Sequence, residues 1–247
     1  MIIYIDGKEC VCERGEYLME VAGRNNIFIP RLCHHDGLPG QSCCRVCVVE
    51  VENGSDRWIV TSCAYPAEPG LRVYTNSEKV KKQRGMTLSL LNAGAPAGDR
   101  VAAMRKFLRG ELPARFITRK DEKCVLCGLC VRACESVGAG AIATVGRGTG
   151  KKVSTPYDDP SDACVGCGSC ANVCPTKAIS MEEDSGARKI WGKIFTLAKC
   201  ESCDAIIGTP EEIALAAKRA GVAPVKLCNS CRQKSLAGAL AKIFGES

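Results

Sequence analysis

The chain has 247 residues, 19 of them cysteine, with aromatics at only 5% and a formal charge of +7. That length suits one large domain or two to three small ones, and a core poor in rings but rich in thiols points to small domains held together by metal. The odd cysteine count argues against a complete disulfide framework, no secretory leader pattern is visible, and no apolar run reaches the roughly 18 residues of a membrane span. The expectation is a soluble, cytoplasmic protein without direct membrane insertion, in a reducing compartment where clustered cysteines act as metal ligands.

In chain order, "IIYIDGKECVCE", "VVEVENG" and "RVYT" read as short strands, with "YLMEVAGRNN" as a helix. Among them stands the spacing Cys33-x10-Cys44-x2-Cys47-x15-Cys63. The Gly- and Pro-rich stretch after Cys33 suits a loop folded around a buried cluster. Strands, a helix and a four-cysteine loop point to a β-grasp ferredoxin domain over residues 1–80 holding [2Fe–2S], with zinc as the alternative. Cys43 breaks the two-residue gap before Cys47 and is expected to lie under the loop as a bystander. Cys10 and Cys12 fall on one strand face, where packing or an exposed thiol is expected rather than ligation. His34 and His35 are read as loop residues near the cluster, because four thiolates already complete the site.

Residues 81–118 read as a helical linker, with one helix to about residue 93, a Gly/Ala/Pro turn and a second helix. Over residues 119–184 a doublet follows. "CVLCGLCVRAC" places Cys124, Cys127, Cys130 and Cys134 at C-x2-C-x2-C-x3-C, and "CVGCGSCANVCP" repeats it at Cys164, Cys167, Cys170 and Cys174. This is the bacterial-type 2[4Fe–4S] ferredoxin run, in which the last cysteine of each half ligates the other cluster. One cluster then takes Cys124, Cys127, Cys130 and Cys174, and the other Cys164, Cys167, Cys170 and Cys134. Gly128, Gly166 and Gly168 suit the close wrapping such clusters need. The "GRGTG" between the halves lacks the strand-before, helix-after setting of a nucleotide site and reads as a turn.

Residues 185–247 carry "KCESCD" and "LCNSCR", a Cys200-x2-Cys203-x24-Cys228-x2-Cys231 pattern. Paired C-x2-C knuckles fit a zinc ribbon, and an additional [4Fe–4S] cluster is the rival occupant. Between them, "TPEEIALAAKRAG" reads as a helix capped by Thr209, with Pro210 in its first turn, Glu212 closing a capping box and Gly221 ending it. The whole is an α+β chain of three small modules and a linker. Four thiolate-bound centres at about −2 each remove roughly 8 charges, so the basic excess balances cofactor charge and gives no nucleic-acid signal. No Walker A run and no Ser–His–Asp or Cys–His set is visible, so the chain is read as non-catalytic.

With these motifs in hand, residues 1 to about 182 resemble the N-terminal iron–sulfur region of the large subunit of respiratory complex I. The same module occurs in NAD(P)-linked hydrogenase, formate dehydrogenase and electron-bifurcating or transhydrogenase complexes. The resemblance rests on "IPRLCHHDGLPG", "CCRVCVVEVE", "SCAYPAEPGLRVYTNSEKV" and the doublet. It implies a hetero-oligomer with an FMN- and NAD(P)(H)-binding flavoprotein subunit at the [2Fe–2S] domain. Ferredoxin or a second redox subunit would meet the four-iron pair. Relatives commonly carry a His-plus-three-Cys site between the modules, whereas "LLNAGAPAGDRVAAMRKFLRG" has neither His nor Cys, so that cluster is expected to be absent. No molybdopterin or hydrogen-activating domain is expected after it. The tail from about residue 188 is similar to the C-terminal knuckles on ferredoxin-like subunits of membrane-linked hydrogenase and formate-hydrogenlyase complexes.

The expected function is electron transfer within a soluble multisubunit oxidoreductase. A free-standing multi-cluster ferredoxin and a zinc-binding interaction module are the alternatives. The sequence leaves open the terminal catalytic partner, the direction of electron flow, the cluster potentials and whether the complex bifurcates.

Overall fold

The computed structural model describes residues 1–104, 107, 120–184 and 186–244. These form two compact units, Met1–Leu129 with Val173–Ala178, and Cys130–Asn172 with Ile179–Ser247.

In the first unit, β1 (Ile2–Ile5) alternates outward and inward, burying Ile3 and Ile5 and exposing Ile2 and Tyr4. An Asp6–Gly7 turn leads into β2 (Lys8–Val11), and α1 (Leu18–Arg24) follows. Three further strands, β3 (Val48–Asn53), β4 (Asp56–Thr61) and β5 (Arg72–Tyr74), complete a sheet of order β2-β1-β5-β3-β4. Only β1 and β5 run parallel, and the order is that of a β-grasp domain. α1 lays Leu18, Val21 and Ala22 in one core with Ile3, Val49, Val51 and Val73. Each buried Leu, Ile or Val there contributes about 1.5–3 kcal/mol. Cys10 and Cys12 lie in that same core, their thiols against the carbonyls of Lys8 (3.5 Å) and Met1 (3.6 Å), so both pack as expected.

Ser77 caps α2 (Glu78–Gly94) by accepting the Val80 N–H at 3.3 Å. Arg84 on α2 is buried and donates to three main-chain carbonyls, Val46 (3.1 Å), Val48 (2.7 Å) and Thr75 (3.1 Å). The guanidinium thereby ties α2 to the start of β3 and the end of β5. A Gly/Ala/Pro turn and α3 (Asp99–Ala103) follow, as the linker reading expects. The rest of the expected second helix lies outside the described residues. Leu32, Val46, Leu88, Val101 and Leu129 form a second core that encloses Cys33, Cys44 and Cys127.

The second unit carries α4, whose full span is Leu129–Val137, then a hairpin of β6 (Ala143–Val145) and β7 (Lys152–Ser154). "GRGTG" falls in its loop, partly as a short 3-10 turn. After α5 (Ser169–Asn172) comes a three-stranded meander of β8 (Met181–Asp184), β9 (Ala187–Ile190) and β10 (Lys193–Thr196). Opposite charges face each other across it, Glu182 with Lys189 and Glu183 with Arg188. A small ribbon, β11 (Ala198–Lys199) and β12 (Ile206–Gly208), leads to α6 (Pro210–Ala220) and α7 (Asn229–Phe244). Cys130, Cys134 and Cys170 share this unit's core with Ala141, Ile142, Ile190 and Phe195. Among the described residues no helix is long and apolar enough to cross a membrane.

Candidate metal centres

Cys33, Cys44, Cys47 and Cys63 are all buried. The loop that carries two of them holds Ser42 (φ 57°) and Arg45 (φ 56°) in the left-handed region, a cost typical of chain wrapped around a site. The Cys44 N–H points at Cys33 Sγ (3.5 Å), and Ser42 Oγ sits 3.5 Å from Cys63 Sγ. Thiol contacts from Cys43 and Cys44 pull Cys33 well below the ordinary thiol range, and Cys47 does the same to Cys63. Their donors move the other way, since contact with these thiolates and burial push Cys44 and Cys47 up. Cys43 moves up with them, and the four buried thiols, close enough to contact one another in pairs, are placed to give up their protons to a metal core.

Cys43 is not under the loop as expected but exposed, with Sγ 3.3 Å from the Cys127 carbonyl and also against Cys33. Cys43 is thus partly open to solvent while its sulfur still reaches back to Cys33, beside the four buried thiols and not enclosed with them. His34 contacts Arg31 (3.2 Å) and Asp36 (3.6 Å), and His35 accepts the Gly37 N–H (3.1 Å). Both histidines bond within the loop.

The two halves of the doublet repeat in backbone as well as sequence. Leu126 (φ 53°) matches Gly166 (φ 66°), and Gly128 (φ 71°) matches Gly168 (φ 73°), all left-handed. Gly166 is irreplaceable for space too, because a Cβ there would stand 2.7 Å from the Phe195 ring. In the first unit, Cys124, Cys127 and Cys174 act on one another electrostatically, and burial pushes Cys127 up to about 11. Backbone N–H groups of Leu126 and Ala178 reach the sulfurs of Cys124 (3.4 Å) and Cys174 (3.2 Å). Cys130 follows Leu129 directly as the first residue of the second unit. In that unit, Cys134, Cys164, Cys167 and Cys170 line one small apolar cavity with Ile142, Ile190 and Trp191. The Ala141 N–H reaches Cys134 Sγ (3.2 Å), and the Trp191 indole N–H reaches Cys170 Sγ (3.4 Å). Convergent sulfurs in apolar surroundings, drawing N–H donors, fit iron–sulfur cores, whose ligand sulfurs carry the delocalised negative charge.

The C-terminal group differs. The sulfurs of Cys200, Cys203, Cys228 and Cys231 all lie within 4.8 Å of one another, the only such group of three or more His, Cys, Asp or Glu ligand atoms among the described residues. Cys203 Sγ and Cys228 Sγ are 3.6 Å apart. The N–H groups of Cys228 and Cys231 point at Cys200 Sγ (3.3 Å) and Cys228 Sγ (3.4 Å). The Cys228 N–H, with that of Ser202, holds Cys200 below the usual thiol range. Cys228 and Cys231 sit at the N-terminal end of α7, where the helix dipole favours thiolate. α6 has the capping box and left-handed Gly221 its sequence announces. It also does more than orient the knuckles: Thr209 Oγ1 donates to the Val165 carbonyl, and Arg219 donates to the Ser136 carbonyl.

Comparison with known proteins agrees with this geometry. Residues 1–78 match a 2Fe-2S iron-sulfur cluster binding domain, and residues 118–181 and 163–205 match 4Fe-4S dicluster domains. The chain is 30% identical to the NADPH-Fe(3+) oxidoreductase subunit alpha of Geobacter sulfurreducens, over 81% of its own length and 26% of that protein's. It is 27% identical to the mitochondrial NADH-ubiquinone oxidoreductase 78 kDa subunit of Neurospora crassa, over 85% of this chain and 31% of that one. The chain thus spans about a quarter to a third of these curated relatives. Among solved structures, an NAD+-reducing [NiFe]-hydrogenase in the H2-reduced state superposes with a TM-score of 0.61 at 27% identity, covering 72% of this chain and 85% of that one. The resemblance read from the motifs stands: the chain is similar to subunits of NADH- and NADPH-linked oxidoreductases and carries the iron–sulfur domains matched above.

Proposed function

We propose that this chain, with its 2Fe–2S domain and its 4Fe–4S dicluster domain, is a non-catalytic electron relay inside a multisubunit oxidoreductase. Electrons pass between a flavoprotein subunit that handles NAD(P)(H) and ferredoxin or a second redox subunit. In this reading Cys33, Cys44, Cys47 and Cys63 hold [2Fe–2S]. Cys124, Cys127, Cys130 and Cys174 hold one [4Fe–4S], and Cys134, Cys164, Cys167 and Cys170 hold the other. When bound, these groups supply reversible one-electron storage. The chain's own residues fix them in place, exclude water and aim N–H donors at the ligand sulfurs. The observation that carries the reading is the recurrence in one chain of grouped thiols that draw N–H or hydroxyl contacts.

The C-terminal quartet is assigned zinc. A tetrahedral ion with Zn–S of about 2.3 Å places its sulfurs roughly 3.8 Å apart, in keeping with the spread seen there. A cubane gives each cysteine a different iron and so holds the sulfurs farther apart.

Anoxic purification of the native complex tests the relay. NAD(P)H is expected to reduce the clusters, seen by EPR, only while an FMN-containing subunit stays bound. Migration as a lone monomer that NAD(P)H reduces unaided would sink the reading.

A further inference from the structure

The β8–β10 meander packs against the second four-iron motif, and its residues are not neutral packing. Trp191 and Gly192 form the β9–β10 turn, between the paired residues Ile190 and Lys193. Trp191 adopts φ 53°, an unusual conformation for a bulky aromatic residue, and it persists only where the surroundings hold it. What that conformation achieves is contact: the indole N–H reaches Cys170 Sγ at 3.4 Å. Two residues on, Lys193 Nζ donates to the carbonyls of Cys164 (3.3 Å) and Ser161 (3.5 Å) and lies 5.1 Å from the Phe195 ring centroid. Arg188 donates to the Gly166 carbonyl at 2.6 Å, though its charge is shared with Glu183 and Glu212. At the first motif a carboxylate, and not an ammonium, bonds at the ligand turn. Glu122 Oε1 accepts the N–H of Cys124 itself at 2.9 Å and that of Lys123 at 3.0 Å.

We propose that Trp191, supported by Lys193, sets the reduction potential of the cluster at Cys134, Cys164, Cys167 and Cys170, making it easier to reduce than the cluster at Cys124, Cys127, Cys130 and Cys174. This deepens the relay reading and rests on its ligand assignment. Reduction adds one electron, with no bond made or broken, and the added charge spreads onto the ligand sulfurs. A donor aimed at a ligand sulfur and an ammonium beside the ligand turn stabilise the reduced form more than the oxidised form. A carboxylate bonded at a ligand's N–H acts against reduction at the first site. The second cluster is then the electron sink of the pair. Trp191 is a positioning residue, since it acts through Cys170.

The test is an anaerobic redox titration of the holoprotein followed by EPR, with Trp191→Phe, Lys193→Gln and Cys170→Ser. Trp191→Phe keeps a ring and removes the donor. At full iron content it is expected to move one four-iron signal, the one that Cys170→Ser alters, to lower potential. The reduction equilibrium should weaken about tenfold, a shift of about 59 mV, with the other signal unmoved. Lys193→Gln should move the same signal the same way, which keeps the test decisive if Trp191→Phe fails to fold. Unchanged potentials in both variants, or movement of the other signal, would overturn the proposal, as would lost stability with unchanged potential. If Cys170→Ser leaves both four-iron signals and their potentials untouched, the ligand assignment has failed and takes the proposal with it.

Discussion

The C-terminal quartet and the second half of the doublet lie in the same unit, and both are built from C-x2-C turns. Their sulfurs are nevertheless distributed differently. Cys200, Cys203, Cys228 and Cys231 converge within 4.8 Å, close enough for a single ion to touch all four. Cys134, Cys164, Cys167 and Cys170 instead line an apolar cavity and lean on N–H donors from Ala141 and Trp191. The common spacing proposes ligands in both places. What separates them is the frame: a two-stranded ribbon and a helix end draw four sulfurs to a point, whereas left-handed turns at Gly166 and Gly168 wrap chain around a volume.

That contrast can be broken by exchange experiments. Cys164→Ser should remove about four irons per chain, or convert that centre to a three-iron form with a new EPR signal, and leave zinc at one equivalent. Cys200→Ser should do the reverse, losing zinc and keeping iron. Iron loss from Cys200→Ser, measured by elemental analysis, would erase the distinction between the two quartets. The two-iron loop gives the next largest effect. Cys44→Ser should abolish or shift the two-iron EPR signal, and Cys43→Ser should leave it in place, since Cys43 falls outside the two-residue gap before Cys47. The opposite pattern would shift the ligand register by one.

Scaffold changes should act on stability before spectra. Arg84→Met leaves three buried carbonyls without their donor, so unfolding free energy should fall by about 3 kcal/mol, read by denaturant titration of the holoprotein. Thr209→Val removes both the cap of α6 and the bond to Val165, with an expected cost of about 1–2 kcal/mol. A Tm unchanged in either variant would show that the element is held some other way.

The cysteine groups are legible in the sequence because their spacing is local: a two-residue gap constrains the backbone wherever it occurs. The caps of α6 are legible for the same reason, as Thr209, Pro210, Glu212 and Gly221 act within a turn of themselves. What the sequence hides depends on distant partners. β4 carries "DRWIVT", whose exposed Trp58 and charged start mask a strand that exists by pairing with β3. The meander at residues 181–196 has charged, mostly outward faces, and a short apolar contact at Ile190 and Phe195 is all that marks its inner side. Trp191 followed by Gly192 hints at a turn, but nothing in its neighbours tells that the indole faces a sulfur 21 positions back. Spacing also singles out Cys43 as the spare thiol without saying where it lies, so its partial exposure with the sulfur at the Cys127 carbonyl emerges only from the folded loop.

Metal analysis of the anaerobically purified chain, with iron and zinc counted per polypeptide alongside the visible spectrum, bears most directly on the relay. The account predicts brown protein with about ten irons and one zinc. Colourless protein, or six or fewer irons after full reconstitution, would contradict it.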